Sequence, residues 1–179
     1  DVGAHLGVFT VTIAQAFPGR HVIALEPLTA NFLGLEENIR LSGLSNVRTI
    51  NAAVTESTES VGIYVNPLND GGGSLIESTE YRTGDVSIDG AKYRARYTDF
   101  VAFEEVAGLR LDDLIVTPSV LKIDVEGAEV IVLKSGFNAL KSGLVDLMVL
   151  EGTRDTIGQV RSEEHTSELQ SQAYLVCRH

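Results

Sequence analysis

The first seven residues, DVGAHLG, combine a carboxylate with two glycines in a spacing that suits a ligand-binding loop. Gly3 and Gly7 allow a backbone to adopt positive φ angles and to approach a ligand closely. We predict that residues 1–3 end a buried strand and that a helix begins at Val8. The loop between them would then present the unpaired N–H groups of a helix start to a ligand.

A second carboxylate, Glu26, follows the short apolar run at residues 21–25 and lies 19 residues beyond Gly7. In a doubly wound sheet, an acid at the end of the second strand lies beside the first loop and accepts hydrogen bonds from ribose hydroxyls. The loop and the acid together therefore predict a ligand that contains a nucleoside. The two glycines alone would fit a ligand-free turn between strand and helix equally well.

The glycine spacing separates two kinds of nucleoside ligand. A dinucleotide fingerprint needs G-x-G-x-x-G, whereas this loop has G-x-x-x-G with His5 at the middle position. Asp1 precedes the first glycine, and a carboxylate there suits an amino-acid ammonium group and repels a pyrophosphate. The pattern favours S-adenosylmethionine as cofactor, with an NAD-dependent enzyme as the alternative.

The segment LKIDVEGAE at residues 121–129 adds acids to the same predicted sheet edge. Asp124 would end the fourth strand, and ligands bind outside the carboxyl ends of such strands. We expect Asp124 and Glu126, with Glu129 as a further candidate, to face the crevice of the first loop. For Glu126 and Glu129 the alternative is a favourable charge in the first turn of a helix. Carboxylates gathered at one edge are costly unless cationic or hydroxyl groups bind there.

Apolar runs that alternate with amphipathic segments predict βαβ units, and hence an α/β fold with a doubly wound, mostly parallel sheet. The predicted strands are residues 1–3, 21–25, 47–50, 120–123 and 144–150. The predicted helices are 8–17 (apolar at Val8, Val11, Ile13, Ala16 and Phe17), 28–42, 126–135 and a short 111–114 capped by Asp112. Residues 61–65 and 91–103 read as strands around a loop at 69–84, an inserted β-hairpin.

The composition of the 179 residues excludes several classes of protein. Hydrophobic residues make up 44% and charged residues 22%, which is typical of a globular domain. A net charge of -11 disfavours nucleic-acid and membrane-surface partners. The single cysteine, Cys177, cannot form an internal disulfide, and no grouping of residues has the ligand spacing of a metal site. We expect a cytoplasmic protein with no metal, and the alternative is a divalent ion held by the carboxylates.

DVGAHLG, ALEP at residues 24–27, LKIDVEGAE and VLE at 149–151, in this order and spacing, resemble the FkbM family of S-adenosylmethionine-dependent methyltransferases. The resemblance covers roughly residues 1–152. It implies a Rossmann-like class I methyltransferase fold with S-adenosyl-L-methionine as cofactor. It also implies O-methylation of a hydroxyl on a small molecule or glycan, such as a sugar or a secondary metabolite.

The resemblance carries over to individual positions. Asp1, Gly3 and Gly7 would line the methionine part of the cofactor, Glu26 would hold its ribose, and residues 51–53 would lie near the adenine. The expected cofactor-binding residues are Asp1, Gly3, Ala4, His5, Gly7, Glu26, Pro27, Ala52 and Ala53.

Methyl transfer to a hydroxyl needs alignment and exclusion of water, and it gains from a nearby general base. By position, Asp124 and Glu126 are the candidate catalytic residues, with His5 as a rival base. A binding module that keeps the nucleoside pocket but lacks catalysis is the alternative, because a fold does not determine a function.

The two ends of the chain differ from its middle. The chain opens inside a motif, so we interpret residues 1–160 as a partial methyltransferase domain that is truncated at both ends. RSEEHTSELQS, from Arg161, resembles a translated sequencing adapter, which predicts that residues 161–179 are a non-native tail. The strand at 144–150 would then keep an unpaired edge that favours aggregation. We expect the chain as written to be inactive.

Overall fold

The computed structural model describes residues 1–65, 73–74, 83–88, 91–96, 102–152 and 173–177, with side chains over 1–63 and 104–152. Its helices are α1 (Val8–Ala16), α2 (Thr29–Leu41), α3 (Glu129–Ser135) and α4 (Phe137–Lys141), with a 3-10 turn at Leu111–Asp113. The strands are β1 (Val22–Leu25), β2 (Val47–Ile50), β3 (Ala53–Val54), β4 (Val61–Val65), β5 (Gly73–Ser74), β6 (Thr83–Ile88), β7 (Ala91–Arg96), β8 (Ala102–Val106), β9 (Gly108–Leu109), β10 (Ser119–Ile123), β11 (Val145–Gly152) and β12 (Ala173–Cys177).

A parallel sheet runs through the described part of the molecule. β1 pairs with β2, with Leu25 opposite Ile50, and β10 pairs with β11, with Ile123 opposite Leu150. Val2 joins these two halves through parallel bridges to Leu25 and Ile123. The order is therefore β2, β1, Val2, β10, β11, as the predicted βαβ units require. The carboxyl ends of β1 and β10 flank the loop that follows Val2.

Helices cover both faces of this sheet because neighbouring strand residues point in opposite directions. Ala24 belongs to a buried cluster with Leu35 and Ile39 of α2. The next residue, Leu25, belongs to a second cluster that includes Val132 of α3. The molecule is thus a mixed α/β structure with parallel strands, and the predicted fold class is confirmed to that extent.

Helix α1 forms where it was predicted, but its apolar residues do not define its buried face. Thr10 and Ala14 are its buried positions, whereas Val8 is 80% and Phe17 is 55% exposed. The Thr10 hydroxyl donates a hydrogen bond of 2.5 Å to Oδ2 of Asp1. The hydrogen bond to Asp1, together with the buried Ala14 and the partly buried Val11, therefore holds α1 against its neighbours.

The middle of the chain forms antiparallel ladders, as predicted for an insertion. β4 pairs with β8, with Val61 opposite Val106, and also with β5. β6 and β7 form a hairpin with Thr83 opposite Arg96. The loop predicted at 69–84 was wrong at its end, because β6 begins at Thr83. The remainder of that loop, apart from β5, and residues 97–101 of the predicted strand lie outside the described residues.

The segment after β10 differs from the prediction in two ways. Helix α3 begins at Glu129 rather than at residue 126, and Gly136 separates it from α4, which the sequence did not predict. Asp112 does not cap its own 3-10 turn. Its carboxylate instead accepts hydrogen bonds from Ala139 N–H at 2.9 Å and Asn138 Nδ2 at 2.7 Å, so it caps α4.

The edge of the sheet beyond β11 is paired, contrary to our expectation of an unpaired edge. β12 runs parallel to β11, with Leu175 opposite Leu150. This pairing removes the unpaired edge from which we expected an inactive chain, so we treat the chain as a folded domain whose binding and activity can be measured. The non-native origin of residues 161–179 stays a prediction. In the described ranges, none of the helices is both long and apolar enough to cross a membrane.

Candidate functional site

A cavity of about 320 Å³ lies at the carboxyl ends of β1 and β10, beside the loop that follows Val2. Its size falls in the range of small-molecule sites. Its walls come from the first loop, the end of β1, the start of α2, the β3 region and the turn after β10. The lining residues are Val2, Gly3, His5, Leu25, Glu26, Pro27, Leu28, Asn31, Ala52, Ala53, Val54, Ile63, Asp124, Val125, Glu126, Ala128 and Val132.

Glu26 is the polar centre of one wall, although only 5% of its surface is exposed. Oε2 accepts the His5 backbone N–H at 2.9 Å, and Oε1 accepts the Leu28 N–H at 3.1 Å and Asn31 Nδ2 at 3.4 Å. Burial raises the pKa of this carboxyl above its usual 4.5, and the three hydrogen bonds oppose that rise. The site therefore holds a carboxylate that is removed from water but oriented by its neighbours.

The loop that carries Glu26 is fixed from outside the cavity. The Asn51 side-chain amide donates to the carbonyl oxygens of Glu26 at 2.9 Å and Pro27 at 2.8 Å. These bonds tie the end of β1 to the residue that follows β2. The family resemblance implied that residues 51–53 would lie near the adenine. Ala52 and Ala53 line the cavity, whereas Asn51 is exposed and holds the backbone beside it.

The first loop packs against the end of β10 more closely than any side chain would allow. Gly3 has φ +79°, and a Cβ atom there would lie 1.8 Å from the carbonyl oxygen of Asp124. His5 is also left-handed, with φ 52°, although it is not glycine. Left-handed backbone is costly for residues with a Cβ and is common at ligand sites. Gly3 and His5 both line the cavity.

Lys122 supplies the cation that a cluster of carboxylates requires. Its Nζ lies 3.2 Å from Oδ1 of Asp1 and 3.6 Å from Oδ2 of Asp124, and it donates to the Gly3 carbonyl at 3.1 Å. The ammonium also lies 5.7 Å from the centre of the Phe9 ring. The Lys122 side chain is 13% exposed and that of Asp1 is 1% exposed. The ion pair therefore joins the N-terminal residue to β10 behind the cavity wall.

Asp124 and Glu126 reach the cavity from the turn after β10. The backbone N–H of Asp124 donates to the Val2 carbonyl at 3.0 Å, which aligns the turn with the first strand. Glu126 has φ 49°, a second left-handed residue that is not glycine. Asp124 and Glu126 therefore line the same cavity as Glu26.

The structure brings most of the predicted site residues to one cavity. Those that line it are Gly3, His5, Glu26, Pro27, Ala52, Ala53, Asp124 and Glu126. Asp1, Ala4 and Gly7 lie behind the wall. Asp1 faces Lys122 and Thr10, Ala4 N–H donates to the Leu25 carbonyl, and Gly7 packs against Leu35. A cofactor-binding role for each of these residues stays a prediction.

Two polar residues of the site were missed by sequence reasoning. Lys122 is a charged residue inside an apolar strand and two positions before an acid, which is a signal that could have found it. Asn31 is a buried amide on α2, and helical spacing gives no reason to single it out. Within the described ranges, no three His, Cys, Asp or Glu residues are grouped so that they could hold a metal ion.

One family model matches nearly the whole chain. A family model described as "Methyltransferase FkbM domain" matches residues 1–176. "Methyltransferase 1" of Beauveria bassiana (strain ARSEF 2860) is 27% identical over 168 residues, which cover 84% of this chain and 62% of that protein. A crystal structure of methyltransferase FkbM from Methylobacillus flagellatus KT aligns at 19% identity and a TM-score of 0.48. That alignment covers 79% of this chain and 29% of the other.

Proposed function

The chain belongs to the FkbM methyltransferase family, and from this premise we propose that it is an S-adenosylmethionine-dependent methyltransferase domain. We propose a Rossmann-like class I fold, with the cofactor in the cavity beside β1 and β10. The observation that carries the proposal is the position of Glu26. A buried carboxylate at the end of β1 shares one cavity with the first loop, as recognition of a nucleoside requires.

The residues of the cavity fit the cofactor in charge and in polarity. A carboxylate offers about four lone-pair sites, and three donors from the protein contact Glu26. Oε2 accepts one of these hydrogen bonds, so it can accept another from a ribose hydroxyl. Leu28, Ala53 and Ile63 form a buried apolar cluster next to it and would receive the adenine.

The opposite wall would serve the transfer itself. The bound cofactor supplies a methyl group on a positively charged sulfur, which is an electrophile. Asp124 and Glu126 would orient the acceptor hydroxyl and take its proton, because a carboxylate within hydrogen-bond reach can act as general base. Lys122 holds Asp124 from behind the wall. His5 lines the same cavity and is the rival base.

We propose a small-molecule or glycan hydroxyl as acceptor. The carboxylates that line the cavity can accept hydrogen bonds from the hydroxyls of a sugar. The antiparallel insertion between β4 and β8 follows the cavity residues of β3 along the chain. Substrate contacts usually come from such insertions.

Asp124→Asn tests the catalytic assignment. With labelled S-adenosylmethionine and a panel of sugars and hydroxylated metabolites, we expect kcat to fall by about 10²-fold while cofactor affinity stays within about threefold. Asp113→Asn is the matched control, because Asp113 is exposed and paired with Arg110 away from the cavity. Equal losses in kcat and cofactor affinity would make Asp124 a cofactor contact. Unchanged kcat would remove it from the reaction.

A further inference from the structure

The turn between β10 and α3 forms much of the wall that holds the proposed catalytic residues. Val125, Glu126 and Ala128 line the cavity directly. Glu126 and Gly127 have φ angles of 49° and 99°, so two successive residues are left-handed, and one of them carries a side chain. Such a conformation persists only where its surroundings hold it in place.

The side chain that holds this turn is Glu129, the first residue of α3. It is 0% exposed, and its Oε1 accepts the Gly127 backbone N–H at 3.0 Å. Burial raises the pKa of this carboxyl, hydrogen bonds from the backbone of Gly127, Glu129 and Val125 lower it, and the charge of Glu126 raises it again. The carboxyl is thus surrounded by the turn that it stabilises.

Glu129 is poorly explained as a residue that serves the core. Its other oxygen, Oε2, is buried without a hydrogen-bond partner in the described structure. A half-satisfied buried carboxyl costs stability, and an apolar side chain of similar size would avoid that cost. Its position is explained by the Gly127 N–H, to which its Oε1 reaches back from the start of α3.

The opposite wall of the cavity uses the same arrangement. Among the residues that the structure describes, His5 is the other one that is left-handed without being glycine, and its backbone N–H donates to the buried Glu26. Each of these two turns is therefore bonded to a buried carboxylate. Glu26 lines the cavity itself, whereas Glu129 lies behind its wall and acts through the backbone.

We propose that Glu129 is a positioning residue, which holds the turn at residues 125–128, with its left-handed Glu126 and Gly127, and so presents Asp124 and Glu126 to the cavity. The role depends on the reach of the carboxyl oxygen to the Gly127 N–H. The effect of Glu129 on the turn does not depend on the proposed function. Its effect on the affinity for the cofactor rests on the proposed function.

Two variants of Glu129 distinguish the contribution of its side-chain length from that of its charge. Glu129→Asp keeps the charge but withdraws the oxygen by one methylene, and Glu129→Gln keeps the oxygen in place but removes the charge. We expect amide hydrogen exchange at residues 125–128, measured by NMR on the free chain, to accelerate about tenfold or more in Glu129→Asp. In Glu129→Gln it should stay within about twofold of the parent chain.

Leu133→Ala is the stability-matched control, because Leu133 is buried on α3 and does not line the cavity. It should lower the melting temperature without selectively accelerating amide hydrogen exchange at residues 125–128. Equal exchange in Glu129→Asp and Glu129→Gln, or a pattern in Glu129→Asp no different from Leu133→Ala, would overturn the assignment.

Titration with S-adenosylmethionine completes the experiment. We expect affinity to fall about fivefold or more in Glu129→Asp and to change less than about twofold in Leu133→Ala. If the parent chain binds no S-adenosylmethionine, the proposed function fails, and the exchange data still decide the role of Glu129. If Glu129→Asp loosens the turn but leaves affinity unchanged, the turn does not position the cavity and the inference is wrong.

Discussion

At the scale of single residues, Lys122 explains how carboxylates can gather at one sheet edge. Sequence reasoning assigned that cost to a bound ligand, whereas the structure shows that a cation of the chain itself offsets part of it. Its ammonium lies within 3.6 Å of both Asp1 and Asp124. Asp1 faces this cation and the Thr10 hydroxyl, so its charge is used within the fold.

Lys122→Met should therefore destabilise the chain strongly. The variant keeps the length of the side chain but leaves Asp1 buried without a cation, which typically costs about 3–5 kcal/mol in the free energy of unfolding. Adding Asp1→Asn should recover most of that loss, because the two changes act on one interaction. Denaturant unfolding measures both values. Arg48→Met, at an exposed position, is the control. An equally small loss in the free energy of unfolding in Lys122→Met and Arg48→Met would contradict this account.

The buried carboxyl of Glu129 predicts a distinct dependence of stability on pH. Burial raises its pKa in the folded chain above the usual 4.5, so the folded state binds the proton more tightly than the unfolded state. Its stabilising contribution is full below about pH 4.5 and is lost as pH rises through the raised pKa. Glu129→Gln lacks this titration. The stability of Glu129→Gln relative to the parent chain should therefore increase with pH above about 4.5 and then level off.

Thermal melts across this pH range test the prediction. Glu26 also has a raised pKa but is common to both chains, so its contribution cancels in the comparison. Glu37→Gln is the control, since Glu37 is exposed and a hydrogen bond from Arg40 lowers its pKa. If the difference in melting temperature between Glu129→Gln and the parent chain stays constant with pH, Glu129 does not titrate as proposed.

At the scale of elements, apolar spacing predicted most of the parallel sheet and helix α2, but not the contacts between distant segments. Leu35 and Ile39 are buried as their spacing indicates. In helix α1, Thr10 donates a hydrogen bond to Asp1, which lies outside the helix. The break between α3 and α4 lies at Gly136, where a Cβ atom would lie 2.7 Å from Leu111. Neither contact leaves a local signal in the sequence.

Asp112 gives the clearest test at this scale, because it caps a helix that lies 25 residues further along the chain. Asp112→Ala should remove the acceptors of Ala139 N–H and Asn138 Nδ2 and cost about 1 kcal/mol, within the range of lost helix caps. Its neighbour Asp113 is exposed and paired with Arg110, so Asp113→Ala should cost less. Chemical denaturation compares the two, and a ranking in the opposite order would contradict the capping role.

At the scale of the whole molecule, the order of the parallel strands assembles the cavity from segments that no local motif connects. The first loop, the end of β1 and the turn after β10 lie far apart in the sequence, and the parallel strand order brings them to one cavity. The rule that ligands bind at the carboxyl ends of parallel strands was enough to select Glu26, Asp124 and Glu126 from the sequence. It could not show which predicted residues lie behind the wall, because that depends on the pairing of Asp1 with Lys122.

The extent of the chain also belongs to this scale. The chain spans 62% of the length of the fungal relative and 29% of the bacterial crystal structure. The family match includes most of residues 161–179, whose resemblance to a translated adapter still predicts a non-native tail. The pairing of β12 with β11 covers the sheet edge in the described structure.

The most direct test of the central claim is isothermal titration of the chain with S-adenosylmethionine and, separately, with NAD. We expect saturable binding of S-adenosylmethionine and no heat from NAD. Glu26→Gln should weaken that binding by about 1.5–3 kcal/mol, because it removes a charged acceptor of the ribose hydroxyls. Glu37→Gln, an exposed glutamate of α2, should bind like the parent chain. A folded chain that binds NAD but not S-adenosylmethionine, or that binds S-adenosylmethionine equally well without the Glu26 carboxylate, would contradict the account.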